Sequence, residues 1–186
     1  MRKVQKEMED TNNTYEVVLA GSGGQGLVSS GMMLGEAAIL EGKNVMQTTS
    51  YGIAQRGGLS IAEVIISDGE ILFQHVQDPD IVLVFTDDGI KRYLSLTEKG
   101  VAIFYDTTLV EKHEGNELYG YPFTKMANEL GHAGMANVIA LGAMIAKNGM
   151  VKRESLEAIL RKRFKDKTLE MNLNALREGV ALVKEQ

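Results

Sequence analysis

The chain has 186 residues, a formal net charge of −5 at pH 7, two prolines, ten methionines and no cysteine. This length suits one domain with its own hydrophobic core, and the acidic balance argues against general nucleic-acid binding. The absence of cysteine excludes disulfides, thiolate nucleophiles, cysteine-ligated iron–sulfur clusters and cysteine zinc sites on this chain.

The first segment, residues 1–13, is polar and mixed in charge, and it lacks the apolar stretch of a secretory signal. We interpret it as a polar leader that precedes a single domain over residues 14–186. The longest apolar stretch, Val138 to Ala146, is far shorter than the roughly 20 residues that a membrane span needs. These features predict a cytoplasmic protein without a membrane span.

A strand predicted over 15–20 leads directly into the glycine loop Gly21-Ser-Gly-Gly-Gln-Gly26. The apolar pattern then predicts a helix over 25–41, which stops at Gly42 because glycine tolerates the positive φ of a helix end. A second strand over 44–47 would complete a β-α-β unit, and such units favour parallel strands with a right-handed crossover.

The next segment, 48–60, is predicted to be a loop. Asp68-Gly69 is a strong tight-turn signal, so a hairpin is predicted between strands at 61–66 and 70–73. The apolar run that follows Pro79 is typical of a strand buried on both faces. Further elements are expected at 81–85 (strand), 88–99 (helix) and 101–105 (strand).

From Phe123 onward the pattern is helical. Helices are predicted near 123–130, 135–148, 153–164 and 167–184. The fold class is therefore α/β, a Rossmann-like, largely parallel sheet with flanking helices and a helical C-terminal region. The stretch 138–146 is apolar on every helical face, which predicts either a central core helix or burial against another subunit.

The glycine loop satisfies the pattern GxGxxG between a strand and a helix, where glycines let backbone N–H groups approach an anion at the positive end of the helix. Binding of NAD also needs an acidic residue about 20 residues further on. The corresponding stretch, 46–50, contains no carboxylate. The loop thus favours a phosphate-bearing group over NAD itself, while glycines that serve only the turn remain the alternative. The candidate residues are Gly21, Ser22, Gly23, Gly24, Gln25 and Gly26.

A second loop follows the second predicted strand, at the sheet edge where doubly wound folds bind ligands. Arg56 stands beside two glycines, so its guanidinium is unobstructed and suits a phosphate, a carboxylate or a carbonyl of a partner. A surface arginine in a turn is the alternative. The candidate residues here are Ser50, Tyr51, Arg56, Gly57 and Gly58.

Together the two loops resemble the gamma subunit of 2-oxoacid:ferredoxin (acceptor) oxidoreductases. The matching elements are Gly21-Ser-Gly-Gly-Gln-Gly26, Ser50-Tyr51-Gly52, Arg56-Gly57-Gly58, Val64-Ile-Ile-Ser-Asp68, Glu70-Ile71 and Pro79-Asp80. The likeness runs over about residues 15–110 and more loosely through Asn137 to Gly142. The Ser-Tyr-Gly…Arg-Gly-Gly form is more similar to the 2-oxoglutarate branch than to the pyruvate branch.

This resemblance implies an assembly that oxidatively decarboxylates a 2-oxo acid with coenzyme A, giving an acyl-CoA, CO₂ and reduced ferredoxin or a similar acceptor. Thiamine diphosphate, Mg²⁺ and the iron–sulfur clusters would be carried by partner subunits, the alpha and beta chains with or without a ferredoxin-like delta chain. The present chain would contribute to the coenzyme A site and scaffold the complex, and none of its residues is predicted to be catalytic.

Carboxylates also follow two predicted strands, at Asp87, Asp88 and Asp106. Such groups can act as acids and bases or hold Mg²⁺, but Asp88 is better placed to cap the helix that begins there.

Two other functions stay open. One is a stand-alone nucleotide-binding oxidoreductase that uses NAD or flavin, and the other is a purely structural interaction module.

Overall fold

The computed structural model describes residues 13–52 and 58–184 of the chain. Within these ranges six strands form one sheet, which six α-helices and two short 3₁₀ turns cover. The strands are β1 (Thr14–Ser22), β2 (Asn44–Tyr51), β3 (Leu59–Ser67), β4 (Ile81–Val84), β5 (Ala102–Asp106) and β6 (Leu118–Tyr121). The helices are α1 (Leu27–Leu40), α2 (Asp87–Tyr93), α3 (Phe123–Glu129), α4 (Ala136–Asn148), α5 (Arg153–Arg163) and α6 (Asp166–Lys184). The 3₁₀ turns are Leu94–Lys99 and Ala133–Met135.

The sheet has the strand order β2-β3-β1-β4-β5-β6. Neighbouring strands are parallel from β1 through β4 and β5 to β6, whereas β3 runs antiparallel to both β1 and β2. All the strands except β3 therefore point the same way. The predicted α/β fold is confirmed, as a mixed sheet with one reversed strand.

The predicted parallel direction of β1 and β2 is confirmed, although β3 lies between them and pairs with β1 over nine residues and with β2 over eight. The predicted hairpin is wrong. The predicted hairpin partner of β3, residues 70–73, is not a strand, and Leu72 and Phe73 are exposed. Since both edges of β3 are already hydrogen-bonded to β1 and β2, no edge is left for a third strand. The predicted loop at 48–60 is correspondingly shorter, since β2 continues to Tyr51 and β3 begins at Leu59.

Helices cover the two faces of the sheet unequally. The larger core lies between one face and α1, α3, α4, α5 and α6, while α2 and the first 3₁₀ turn cover β4 and β5 on the other face. Residues 138–145 of α4 are all buried within this chain, which places the apolar stretch in its own core. None of the helices in the described ranges is both long and apolar enough to cross a bilayer.

The C-terminal helix α6 crosses α4 at a point where both helices carry glycine. A Cβ atom at Gly179 would overlap the carbonyl oxygen of Ile139, and a Cβ at Gly142 would overlap that of Leu176. The two backbones are thus in direct contact. This crossing fixes α4, whose first residues lie beside the glycine loop.

Candidate functional site

The glycine loop lies where the sheet changes direction of winding. It leaves the carboxyl end of β1 and enters α1, which packs into the larger core, whereas the neighbouring strand β4 leads to α2 on the opposite face. Two connections that diverge in this way leave a crevice between the ends of β1 and β4. In open α/β sheets this switch point is where ligands bind.

The structure assigns different roles to the four glycines of the loop. A Cβ at Gly21 would overlap the side chains of Gln25 and Leu27. Gly24 and Gly26 have φ values of +90° and +73°, a left-handed conformation that strongly favours glycine. A Cβ at Gly23 would meet no atom of the described chain within 4 Å. A Cβ at Gly24 would also meet no atom within 4 Å, so the surroundings of both Gly23 and Gly24 leave room for another molecule, and of these two only Gly23 has a φ outside the left-handed region.

The side chain of Gln25 braces the loop. Its Oε1 accepts a hydrogen bond of 2.7 Å from the backbone N–H of Ser22, and its Nε2 donates one of 3.3 Å to the carbonyl of Phe85, directly after β4. The amide thus ties the ends of β1 and β4 together across the crevice. Gln25 was predicted to contact a cofactor, and the structure shows its side chain engaged in shaping the loop.

The loop and the first turn of α1 present backbone donors without acceptors. Gly26 caps the helix and has no side chain that could accept from it. In the described part of the chain, the N–H groups of Gly23, Gly24, Gly26 and residues 27–29 donate no hydrogen bond to the protein. Unpaired N–H groups at a helix N-terminus attract anions such as phosphate.

A small cleft of about 230 Å³ adjoins the loop. It is lined by Gly24, Gln25, Phe85, Leu109, Thr124, Ala133, Gly134 and Ala136. None of these side chains is charged, so an anion here would depend on backbone dipoles. The volume is below the roughly 300–1,000 Å³ of typical ligand pockets. The cleft can therefore hold part of a large ligand but not the whole of it.

The buried carboxylate Asp106 supports the cleft wall. Its oxygens accept hydrogen bonds of 2.9 Å from the backbone N–H groups of Thr108 and Thr124, and a further one from the Thr124 hydroxyl. Asp106 is fully buried and is bonded to the first turn of α3. These contacts give it a structural role, because both carboxylate oxygens are already occupied.

The prediction that Asp88 caps a helix is wrong. The cap of α2 is Thr86, whose hydroxyl accepts from the backbone N–H of Gly89 at 3.2 Å. Asp88 is exposed in the first turn, and Asp87 accepts a 3.3 Å bond from the backbone N–H of Glu111. The helix begins one residue earlier than its apolar pattern indicates.

Asn137, at the start of α4, holds the glycine loop from the far side. It is 7% exposed, and its Nδ2 donates a 3.3 Å hydrogen bond to the carbonyl of Gly26. Its Oδ1 is buried and has no partner among the described residues. The sequence analysis did not select Asn137 as a site residue. Its one signal is that it is the polar residue at the head of an otherwise apolar helix.

The second predicted loop begins at the same sheet edge. The register aligns Gly21 with Ser60 and Ser60 with Tyr51, so Tyr51 lies two strand spacings, about 10 Å, from the glycine loop. Ser50 and Tyr51 are exposed residues of β2. Gly58 lies against the backbone of Gly52, an approach that leaves little room for a side chain.

The remaining residues predicted for this site, Arg56 and Gly57, lie outside the described residues.

A larger cavity of about 770 Å³ opens at the opposite end of the central strands, near the beginning of β1. Its lining includes Glu16, Asp78 and Asp80 and none of the predicted site residues. Burial raises the pKa of the Glu16 carboxyl, although backbone N–H groups of Asp78 and Gln77 act in the opposite direction. Since this cavity is remote from the switch point, we assign the candidate site to the glycine loop.

Residues 16–182 match the family model described as pyruvate ferredoxin/flavodoxin oxidoreductase. The chain belongs to this family. The predicted resemblance is thereby confirmed, since the residues matched include both candidate loops.

Individual members of the oxidoreductase family agree with this assignment. The chain is 40% identical to the 2-oxoglutarate synthase subunit KorC of Archaeoglobus fulgidus over 162 residues, which cover 87% of this chain and 83% of that protein. It is 34% identical to the gamma subunit of a keto/oxoacid ferredoxin oxidoreductase from Geobacter sulfurreducens, with a TM-score of 0.80 and coverage of 92% and 99% of the two chains.

A third relative shares the fold at lower identity. The 2-oxoglutarate:ferredoxin oxidoreductase of Magnetococcus marinus, solved with 2-oxoglutarate, coenzyme A and succinyl-CoA, superposes with a TM-score of 0.81 at 24% identity. The match covers 93% of this chain and 31% of that one. In that protein the fold found here thus forms one part of a longer polypeptide.

Proposed function

We propose that this member of the oxidoreductase family is the gamma-type subunit of a 2-oxoglutarate:ferredoxin (acceptor) oxidoreductase. The complex would oxidatively decarboxylate a 2-oxo acid with coenzyme A, giving an acyl-CoA, CO₂ and a reduced acceptor. The share of this chain is a wall of the coenzyme A site. The observation that carries the proposal is a set of backbone N–H groups at the switch point of the sheet that have no acceptor among the described residues. They belong to Gly23, Gly24, Gly26 and residues 27–29.

The arrangement fits the pyrophosphate of coenzyme A better than it fits an entire cofactor. The N–H groups of Gly23 and Gly24 and the first turn of α1 would receive the phosphate oxygens, and Gly23 leaves space for them. Because the cleft is small, much of the ligand would lie against a partner subunit. When bound, coenzyme A supplies the thiol that accepts the acyl group, and this chain would orient the molecule without taking or giving a proton.

The redox centres of the complex would belong to other chains. The chain contains no cysteine, and no group of three or more His, Asp or Glu residues in the described ranges could hold a metal ion. Thiamine diphosphate with Mg²⁺ and the iron–sulfur clusters are therefore proposed for the alpha and beta subunits, with or without a ferredoxin-like delta subunit.

One structural observation argues against the NAD alternative. A ribose-binding carboxylate belongs at the end of the strand beside β1, but that neighbour here is the reversed strand β3. On this side of β1, the nearest strand whose carboxyl end lies level with the glycine loop is β2, about 10 Å away. Its last residues, Thr48 to Tyr51, carry no charge. A dinucleotide placed on the glycine loop would have no acidic partner at this position.

The test is gentle affinity purification of the tagged chain from its own cells, followed by mass spectrometry of the co-purifying chains. We expect one thiamine-binding chain and one cysteine-rich chain in fixed stoichiometry, and turnover of a 2-oxo acid with coenzyme A only in that complex. Turnover by the isolated chain, or saturable NADH binding to it, would contradict the proposal. Assembly with unchanged coenzyme A kinetics after the loop is altered would favour a purely structural module.

A further inference from the structure

Within residues 13–52 and 58–184, the outer edge of β2 carries a row of backbone groups that have no hydrogen-bond partner. The register and two flanking hydrogen bonds, Gly52 N–H to the Leu59 carbonyl (2.8 Å) and Asp68 N–H to the Asn13 carbonyl (3.2 Å), fix which residues face β3. The even-numbered residues of β2 bond to β3, so the odd-numbered ones point their N–H and C=O groups outward. The outward residues are Val45, Gln47, Thr49 and Tyr51.

In the part of the chain that the structure describes, this edge lacks the features that keep sheet edges apart. Natural edge strands are protected by lysine, proline, bulges or covering segments. The strand β2 has eight residues, Asn-Val-Met-Gln-Thr-Thr-Ser-Tyr, with neither a charge nor a proline. Its register with β3 is continuous from Asn44 to Tyr51, without a bulge. Such an edge is a template for another strand.

Apolar side chains of α1 extend the same surface. Met32 is 46% and Ile39 is 60% exposed, and they lie seven residues apart on one side of the helix. The adjacent glycines of α1, Gly31 and Gly35, lie against Gln47 and Val45 of β2. The unpaired strand edge and the apolar strip are therefore neighbours.

We propose that a second copy of this chain covers this edge, with the two β2 strands antiparallel about a twofold axis through Thr48. The four outward residues are evenly spaced about Thr48, so the row is complementary to itself. Gln47 would pair with Thr49 of the second copy, and Val45 with its Tyr51, which gives about eight backbone hydrogen bonds. No charge on either strand opposes the pairing, and the two sheets would join into one. This inference does not rest on the proposed function, although Tyr51 belongs both to this edge and to the second predicted loop.

A single cysteine tests the register. The chain has no native cysteine, and Thr48 would face its counterpart at a non-hydrogen-bonded position with about 4.5 Å between the Cα atoms, within reach of a disulfide. We expect Thr48→Cys to give a covalent dimer as its main product under mild oxidation. Met46→Cys, on the same face of the strand, is the matched control. Its counterpart would lie about 13 Å away, so little cross-linking is expected.

A second pair of variants tests the backbone contact without cysteine. Thr49→Pro removes an outward N–H and leaves the bonds to β3 intact, as prolines on edge strands do, whereas Thr49→Ala keeps the N–H. By analytical ultracentrifugation at about 10 µM, we expect the unmodified chain and Thr49→Ala to have twice the monomer mass of 20.4 kDa and Thr49→Pro to be monomeric.

Three results would overturn the inference. They are a monomeric unmodified chain, a dimer that survives Thr49→Pro, and equal cross-linking of the two cysteine variants. If amides 44–51 are protected from hydrogen exchange only in the assembled complex, the edge belongs to a partner subunit instead of a second copy.

Discussion

The substitution Gly23→Val separates ligand binding from folding. In the folded chain a Cβ at Gly23 meets nothing within 4 Å, and its φ is outside the left-handed region. The valine methyls would project into the space that the proposed phosphate occupies. Stability should therefore be unchanged, or raised by up to about 1 kcal/mol because valine restricts the unfolded chain.

The expected loss of affinity follows from the contacts that the side chain blocks. If two charge-assisted hydrogen bonds from the loop amides to phosphate are lost, at about 1.5 kcal/mol each, binding weakens by about 3 kcal/mol. That corresponds to a rise of about a hundredfold in the KM for coenzyme A. The turnover number at saturating coenzyme A should stay near that of the unmodified enzyme, because the chemistry takes place on other subunits.

The assay is initial-rate kinetics of the purified complex with a 2-oxo acid and a dye acceptor, at varied coenzyme A. Ala181→Val, at an exposed position of α6, controls for the added methyl groups and should leave KM within twofold. The melting temperature of each isolated subunit is measured alongside. A Gly23→Val complex that assembles normally and keeps its KM for coenzyme A would refute the assignment of the loop.

Three further outcomes are expected from urea denaturation of the isolated chain. Asn137→Ala should lower the free energy of unfolding by about 1 kcal/mol, since it removes one long hydrogen bond together with an unpaired acceptor. Asn137→Asp should lower it by several kcal/mol, because it buries a charge without a donor. Equal effects of the two substitutions would contradict the contact described. Gly179→Ala should cost about 3 kcal/mol because its Cβ would overlap the backbone of α4, and Glu178→Ala, exposed beside it, should change little. The raised pKa of Glu16 means that its ionisation above about pH 4.5 opposes folding. The stability of Glu16→Gln relative to the unmodified chain should therefore increase as the pH rises from 4 to 7. A stability difference that is independent of pH would argue against this burial effect.

Local patterns in the sequence were sufficient to locate the glycine loop and most helices. A strand, a GxGxxG turn and an apolar helix follow one another within 30 residues, and each is specified by neighbours along the chain. The position of β3 was not predictable in this way. Its pairing with β1 joins Thr14 to Ser67, and no local period records such a contact. The Asp68-Gly69 turn signal was misleading because β3 already had two partners.

The edge strand β6 and the role of Asn137 were missed for related reasons. The strand β6 has four residues and includes Gly120, too few to show an alternating pattern. Asn137 acts on Gly26 across 111 positions of sequence, so its function depends on the completed fold. The glycines show the same limit, since nothing in the pattern GxGxxG distinguishes the open position Gly23 from the enclosed position Gly21.

The enclosure of α4 bears on how a complex containing this chain is made. Residues 138–145 are shielded by elements of the same polypeptide, so the subunit does not need a companion to complete its interior. It should accordingly be obtainable by separate expression and added afterwards to the other components. Reconstitution from individually prepared parts then becomes a practical route, in which one altered subunit at a time is exchanged against a constant background.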